Sequence, residues 1–361
     1  MFLIIAVIAL IFLVIFQISK AAEYVGVLKG ENETRKQTNK INGFLLLVFM
    51  IVGLIGVWYC NKILGPKTQL MNGGPASEQG IKVDSMLVTT LAITGIVFIF
   101  TQILLFWFAF KYQEKEGRKV YFFAHSTKLE LLWTAVPAIF LTVLVVIGLR
   151  NWFSFTSEAP ANALQVEITG KQFGWIFRYP GKDGEFGKKY YRMIDAADNS
   201  LGLIWKDTTV NRANGEPQKL KDDKFTHDDL VMEQTMYVIK NRPVKLIINS
   251  RDVIHDVGLT HFRMKMDAVP GMPTTLWFTP IYTTAEMKER TNNPNFQYEI
   301  SCDQMCGNGH YSMKGVIEVV TQAEYDAWIA KQKPKYLSLF PAAEPAVKTD
   351  TTAKASVAGL K

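Results

Sequence analysis

The sequence predicts an α + β membrane protein in which N-terminal transmembrane helices precede an antiparallel β-barrel or sandwich. Three observations carry this reading. Long apolar runs crowd into residues 1–150; short stretches rich in β-branched and aromatic residues, separated by Gly, Pro, Asn and Asp, follow from Leu164; and soft metal-ligand side chains gather in Cys302–Met313. The averages conceal the division, because 48% hydrophobic residues and a mean hydropathy of +0.08 would also suit a merely apolar soluble chain.

Residues 1–60 read as two membrane helices joined by a basic segment. Met1–Ile18 is an almost unbroken apolar run followed by Lys20, whereas a secretory signal starts with a basic region. The run is read as an anchoring helix with its N-terminus outside, and Ala21 and Ala22 leave a cleaved signal as the alternative. Lys29, Arg35, Lys36 and Lys40 place Glu23–Lys40 on the cytoplasmic side as a loop or amphipathic linker. Phe44–Tyr59 is the second span, and Val57, Trp58 and Tyr59 are too bulky for a lipidation signal ahead of Cys60. Residues 61–85 form a connector with the turn sequence Gly73-Gly74-Pro75. Residues 86–150 hold a helix hairpin, Met86–Phe110 and Leu129–Leu149, with Pro137 kinking the second helix. Lys111, Lys115, Arg118, Lys119 and Lys128 put its turn in the cytoplasm, so the chain after Arg150 lies outside. These basic flanks account for the net charge of +7 without nucleic acid.

Residues 151–330 make the outward domain. Leu164–Thr169, Phe173–Tyr179, Met236–Ile239, Val244–Ile248, Thr275–Phe278, Phe296–Ile300 and Gly315–Val320 read as strands. Residues 183–229, polar apart from isolated aromatics such as Trp205, read as an inserted surface excursion in which His227 stands in a solvated loop. Residues 331–361 are rich in Ala, Lys, Pro and Thr, have too little apolar content to fold alone, and read as a flexible tail.

Cys302 and Cys306 stand four residues apart, His310 follows four later and Met313 three after that. Such soft donors favour copper. Two thiolates so close in sequence can both bridge a pair of coppers, with His310 on one and Met313 weakly on the other. A second imidazole is then needed. His255, where the run Val244–Asn249 and the segment after it give way to a loop, is preferred over His261 because of the spacing Asp252-x-x-His255, while His125 reads as interfacial. A disulfide or a Cys2His2 zinc site are the alternatives. The first leaves His310 and Met313 unexplained, and Met is a poor zinc ligand.

The run Cys302-x-x-x-Cys306-x-x-x-His310-x-x-Met313, preceded by Asp252-Val253-Ile254-His255 and Asp267-Ala268-Val269-Pro270-Gly271-Met272, resembles subunit II of the haem–copper cytochrome c oxidases, in a bacterial form with extra N-terminal membrane helices. With the hairpin, the resemblance covers residues from about 86 to 330. It implies a cupredoxin-like domain holding CuA, a dinuclear copper centre that takes electrons from cytochrome c and passes them to haem in subunit I. The implied ligands are His255, Cys302, Cys306, His310, Met313 and the backbone carbonyl of Gln304. The family normally has Glu at that last position, whose side chain also reaches a magnesium ion at the subunit I contact; Gln304 keeps the carbonyl and loses the charge, which leaves magnesium open.

Glu130-x-x-Trp133-Thr134-x-x-Pro137 is similar to the signature opening the family's second membrane helix, and the resemblance implies Glu130 at the mouth of a proton pathway into subunit I. Lys171-Gln172-Phe173-Gly174-Trp175 falls where the family has an aromatic cluster whose first Trp receives the electrons. Phe173 occupies that position and Trp175 remains as a substitute, with a core role as the alternative for either. Arg251 beside Asp252 weakens the acidic surface that attracts a basic cytochrome c, so a less basic donor, or one carried by another complex, is expected. The expected setting is a bacterial inner membrane, with subunit I and other oxidase subunits as partners and the copper domain outside. No Cys-x-x-Cys-His occurs, so no covalent haem is expected. A quinol oxidase subunit would share the fold but lack the copper ligands, and a zinc-stabilised membrane protein would give no reason for Glu130 or Met313.

Overall fold

A computed structural model describes residues 2–67, 73–115, 117–119 and 121–341. The chain begins with helices α1 (Phe2–Lys29), α2 (Glu31–Leu64), α3 (Glu78–Lys111) and α4 (Thr127–Thr156). All four contain a stretch long and apolar enough to cross a membrane. Their Leu, Ile, Val and Phe side chains remain exposed, a surface that lipid matches and water would not. The helices outrun the expected spans. Glu23–Lys40 is not a loop but helix on both sides of Gly30, whose φ of 83° makes the break between α1 and α2. Ion pairs Lys20–Glu23 at its start and Lys36–Glu33 within it lie at helical spacing. Pro137 sits inside α4 without ending it.

The chain divides into two compact units, Met1–Asn72 with Ser85–Gly148, and Gly73–Asp84 with Leu149–Lys361. The second is a β-sandwich. Its strands are β1 (Leu164–Lys171), β2 (Gly174–Tyr179), β3 (Thr208–Asn211), β4 (Pro217–Leu220), β5 (Leu230–Glu233), β6 (Thr235–Ile239), β7 (Val244–Ser250), β8 (His255–Leu259), β9 (Met264–Ala268), β10 (Thr274–Phe278), β11 (Tyr298–Cys302) and β12 (Lys314–Val320). Two five-stranded sheets have the orders β10-β7-β1-β2-β5 and β6-β12-β11-β8-β9, and β3 pairs with β4. Alternation drives the assembly: Val244, Leu246 and Ile248 of β7 and Ile317 and Val319 of β12 point into one core. Each such side chain contributes about 1.5–3 kcal/mol by leaving water. The pairing is not wholly antiparallel as expected, because β1 runs parallel to β7 and β6 parallel to β12. Long connections permit both. Helices α5 (Thr284–Arg290) and α6 (Gln322–Ile329) each open with a capping box, Thr283 with Glu286 and Thr321 with Glu324.

Two expectations of loose chain are corrected. In the connector, Ala76 and Ser77 are buried, the Ser77 hydroxyl donates to the Phe262 carbonyl at 2.7 Å, and Gln79 Oε1 accepts from the Thr279 N–H at 3.0 Å. This stretch belongs to the sandwich. The expected tail contains α7 (Lys335–Leu339), whose Tyr336 is buried, stacks on His227 with centroids 3.7 Å apart and meets the Trp205 ring edge-on. His227 is therefore not a freely solvated residue but a stacked one, 2.8 Å from Asp222. Residues 342–361 and 68–72 of the expected tail and connector lie outside the described residues.

The excursion 183–229 is tied down by buried charge. Arg178 of β2, 1% exposed, pairs with Glu167 of β1 at 3.0 Å and with Asp229, and donates to the Gly187 carbonyl. Lys189 of the excursion also pairs with Glu167. Burial pushes the Asp229 carboxyl up to about 6, although Arg178 works against it. A buried ion pair contributes little net stability, yet removing one partner strands the other. Arg178→Met is therefore expected to cost about 3–5 kcal/mol in denaturant unfolding at pH 8, followed by tryptophan fluorescence. The raised value of Asp229 means that the folded state prefers its protonated form, so its contribution favours folding at low pH and is lost as pH rises through about 6. The variant's deficit is expected to shrink at pH 5, and an equal deficit at both pH values would refute a charge origin.

Candidate metal centre

Strands β11 and β12 form a hairpin whose connecting loop carries most of the soft donors. Cys302 ends β11, opposite Val257 of β8, and its N–H donates to the Met313 carbonyl at 3.2 Å, so the loop closes on itself at its two ends. A short 3₁₀ turn, His310–Ser312, points the loop back to β12. His255 does not lie at the end of a strand as expected. It is the first residue of β8, fully buried beside β11.

The donor atoms form a continuous string. His255 Nδ1 lies 3.8 Å from Cys302 Sγ, Cys302 Sγ 3.2 Å from the Gln304 carbonyl oxygen and 3.7 Å from Cys306 Sγ. Cys306 Sγ lies 3.6 Å from His310 Nδ1 and 3.8 Å from Met313 Sδ. Two donors that each bond a shared metal at about 2.0–2.3 Å stand at such separations. Both cysteines are free thiols, which removes the disulfide reading. His255, Cys302 and Cys306 keep their donor atoms within 4.8 Å of one another. Thiolate, thioether and imidazole together fit copper.

The layer behind these donors was largely illegible in the sequence. Asp252 Oδ1 lies 2.7 Å from His255 Nε2, leaving Nδ1 to face Cys302. Burial alone would raise the Asp252 carboxyl, but the Gln172 N–H, the His255 ring and the Val253 N–H outweigh it and hold the group below its ordinary value. Gln172 works on both sides, its backbone N–H donating to Asp252 Oδ2 and its side-chain amide to the Cys306 carbonyl. Gly170 makes room for the imidazole, since a Cβ there would sit 2.7 Å from His255 Cδ2. The spacing Asp252-x-x-His255 signalled the first of these contacts; Gln172 and Gly170 carried no signal.

Burial and the neighbouring Cys302 thiol push the Cys306 thiol up to about 11, so a metal must displace its proton to bind. Beside the donors, burial and a hydrogen bond to Asp267 push Asp256 up to about 7, and Lys265 lies 3.6 Å from Asp256 and 3.8 Å from Asp303. The two aromatics part company. Trp175 is 1% exposed and set edge-on against the His255 ring at 6.0 Å. Phe173 is 42% exposed and lies on the loop backbone, where a Cβ at Gly309 would come within 2.5 Å of its ring. Glu130, in the first turn of α4, accepts from the Ser126 N–H at 3.4 Å and lies 3.9 Å from His125.

Comparison with known proteins agrees with this architecture. The family profile for the transmembrane domain of cytochrome c oxidase subunit II matches residues 67–151, and that for its periplasmic domain matches 164–320. An alternative cytochrome c oxidase subunit 2 of Bradyrhizobium diazoefficiens is 34% identical over 254 residues, covering 70% of this chain and 80% of the relative. The cytochrome c oxidase subunit 2 of Cereibacter sphaeroides is 27% identical over 246 residues, 67% of this chain and 73% of its own. The crystal structure of the periplasmic domain of cytochrome oxidase subunit II from Bradyrhizobium japonicum shares 23% identity, covers 48% of this chain and 95% of that one, and has a TM-score of 0.30. Helices α1 and α2 both precede the matched residues. With both family domains and a relative of this similarity spanning most of its length, the chain belongs to the cytochrome c oxidase subunit II family.

Proposed function

We propose that Cys302, Cys306, His255, His310, Met313 and the Gln304 carbonyl would together hold two copper ions, the two thiolates shared between them, with His310 on one ion and Met313 weakly on the other. The chain is the electron-accepting subunit of a cytochrome c oxidase, a membrane protein with an extracytoplasmic copper-binding domain. The observation that carries the two-ion reading is the order of the donor string: both sulfurs stand in its middle, with an imidazole beside each. A single tetrahedral zinc would need both imidazoles and both sulfurs around one point. When bound, the copper pair supplies a one-electron carrier whose charge is spread over two metals and two sulfurs. The protein's part is to hold the donors still. Asp252 fixes the His255 ring, Gln172 fixes both Asp252 and the Cys306 carbonyl, and the sandwich keeps water from the sulfurs.

In this reading electrons arrive from a cytochrome c or a complex bearing one, and leave for haem in subunit I. Phe173 is the aromatic that meets a donor, because it is exposed on the loop while Trp175 is in the core. Val253 and Ile254 beside Asp252 are 37% and 44% exposed, which makes an apolar contact with Arg251 at its edge rather than an acidic one. The neutral Gln304 amide is a weaker magnesium ligand than a carboxylate, and magnesium is expected to bind weakly there. Glu130 serves as a proton collector at the cytoplasmic edge of α4, with the membrane being a bacterial inner membrane.

Copper loading followed by electron paramagnetic resonance tests the centre. Two coppers sharing one unpaired electron are expected, Cys302→Ser should abolish that signal, and Met313→Leu should retain copper with a changed reduction potential; one zinc and no copper signal would overturn the reading. Gly170→Ala is expected to lower copper affinity about 10–100-fold by displacing the His255 ring, measured by competition with a chelator. Oxidation rates with basic and acidic cytochromes at varied ionic strength are expected to show only weak preference for the basic donor. A strong preference that salt removes would contradict the apolar contact.

A further inference from the structure

A specific protein interface buries about 800 Å² and about 20–30 residues on each side, a disc roughly 30 Å across. Phe173, Val253 and Ile254 are three partly exposed side chains and cannot supply that alone. The contact with an electron donor must therefore run on over neighbouring surface. A half-open hollow of about 300 Å³ between the excursion, β5 and α7 lies on that path, because it is fastened to both segments that carry these three residues. Arg251, two residues before Val253, donates from its guanidinium to the carbonyl of Ser200, which lines the hollow, at 3.3 Å. Lys171, two residues before Phe173, pairs at 2.8 Å with Glu233 on the opposite wall.

The hollow has an apolar floor of Leu201, Leu203 and Val231, and a lip of Ala196 and Ala197 that is exposed and without bulk. The lip is held in shape before any partner arrives. The Asp195 carboxylate accepts from the Ala197 and Asp198 N–H groups at 2.8 and 3.1 Å, and the backbones of Asp195 and Asn199 exchange hydrogen bonds at 2.9 and 3.0 Å. The Asn199 amide accepts from the Leu203 N–H at 2.8 Å and donates to the Leu203 carbonyl at 2.9 Å. A surface ordered in advance loses little entropy on binding. Its rim charges are paired, Asp198 with Lys335 at 3.6 Å and Glu233 with Lys171, so they present both signs and no field that favours a strongly basic partner.

We infer that this hollow is the second half of the electron donor's docking surface, and that it receives an apolar side chain projecting beside the donor's haem edge. The inference rests on the reading of Phe173 as the aromatic that meets the donor. The partner it fits is a c-type cytochrome whose contact face carries charges of both signs around an apolar centre. Each encounter delivers one electron to the chain and turns the donor's ferrous haem ferric. Stopped-flow reduction of the full copper-loaded chain in detergent tests it, with a basic and an acidic reduced cytochrome c as probes and ascorbate as a reductant that needs no docking. Ala197→Trp, which fills the lip without adding charge, is expected to slow reduction by the cytochromes about tenfold at low and high salt. Its copper resonance and its reduction by ascorbate are expected to be unchanged, and its calorimetric affinity for the oxidised cytochrome is expected to fall with the rate. Ala196→Trp makes the same test at the adjoining position should the first variant lose copper. Ala213→Trp, in the exposed turn between β3 and β4 and outside the hollow, is expected to have no effect. An unchanged rate in Ala197→Trp while Phe173→Ala is slowed overturns the inference and leaves the donor reading standing. Equal slowing in Ala213→Trp also overturns it. Unchanged rates in both Ala197→Trp and Phe173→Ala, or no reduction of the unaltered chain by either cytochrome, overturn the donor reading and the inference with it.

Discussion

Two sulfurs held 3.7 Å apart in a buried place are the constraint on which the outward unit depends. As thiolates they repel, and burial removes the water that would screen them, so in the protein alone the proton stays on Cys306 to about 11. Positive charge from metal resolves the conflict, and rigid strands make the conflict survivable. Cys302 is locked by its pairing with β8 and by its N–H bond to Met313, so both ends of the loop are anchored before any metal arrives. Donors that cannot move favour a metal that changes charge without rearrangement, which is what electron transfer needs.

The imidazole is positioned by a different route. His255 comes from β8, with Trp175 against its ring, Gly170 leaving space for it and Asp252 holding Nε2. Gln172 then joins this arrangement to the carbonyl of Cys306, and Phe173, the next residue, covers the loop from outside. One short stretch of chain thus couples the surface aromatic, the histidine and a thiol. A disturbance at any of the three is felt at the others because the contacts are shared.

The rest of the chain answers to two solvents. The apolar faces of α1 to α4 are stable only where lipid replaces water. The excursion is the reverse case, a polar segment with little core of its own. Its order is borrowed from Arg178 and Glu167 beneath it, which pair with its Asp229 and Lys189, and from Tyr336 of α7 laid over it. That borrowed packing leaves the cavity beside Trp205, where side chains from three distant segments meet without filling the space.

By itself the sequence determined what short-range chemistry determines. Apolar length marked the membrane helices, short stretches rich in β-branched and aromatic residues between Gly, Pro, Asn and Asp marked the seven strands read from it, and a run of twelve residues from Cys302 to Met313 held both thiols, one imidazole and the thioether. Local spacing suffices there because the residues that act together are neighbours in the chain. Strand β8 escaped notice because the buried Asp256 and the glycine at 258, which closely approaches Asp303, interrupt its apolar character, and β9, Met264–Ala268, because it holds no β-branched or aromatic residue. The packing of Ala76, Ser77 and Tyr336 escaped because their partners lie far away in sequence. Only the tertiary structure decided which aromatic faces solvent, that Gln172 and Gly170 govern His255, and that α7 closes the excursion, since each depends on surfaces brought together from different strands and helices.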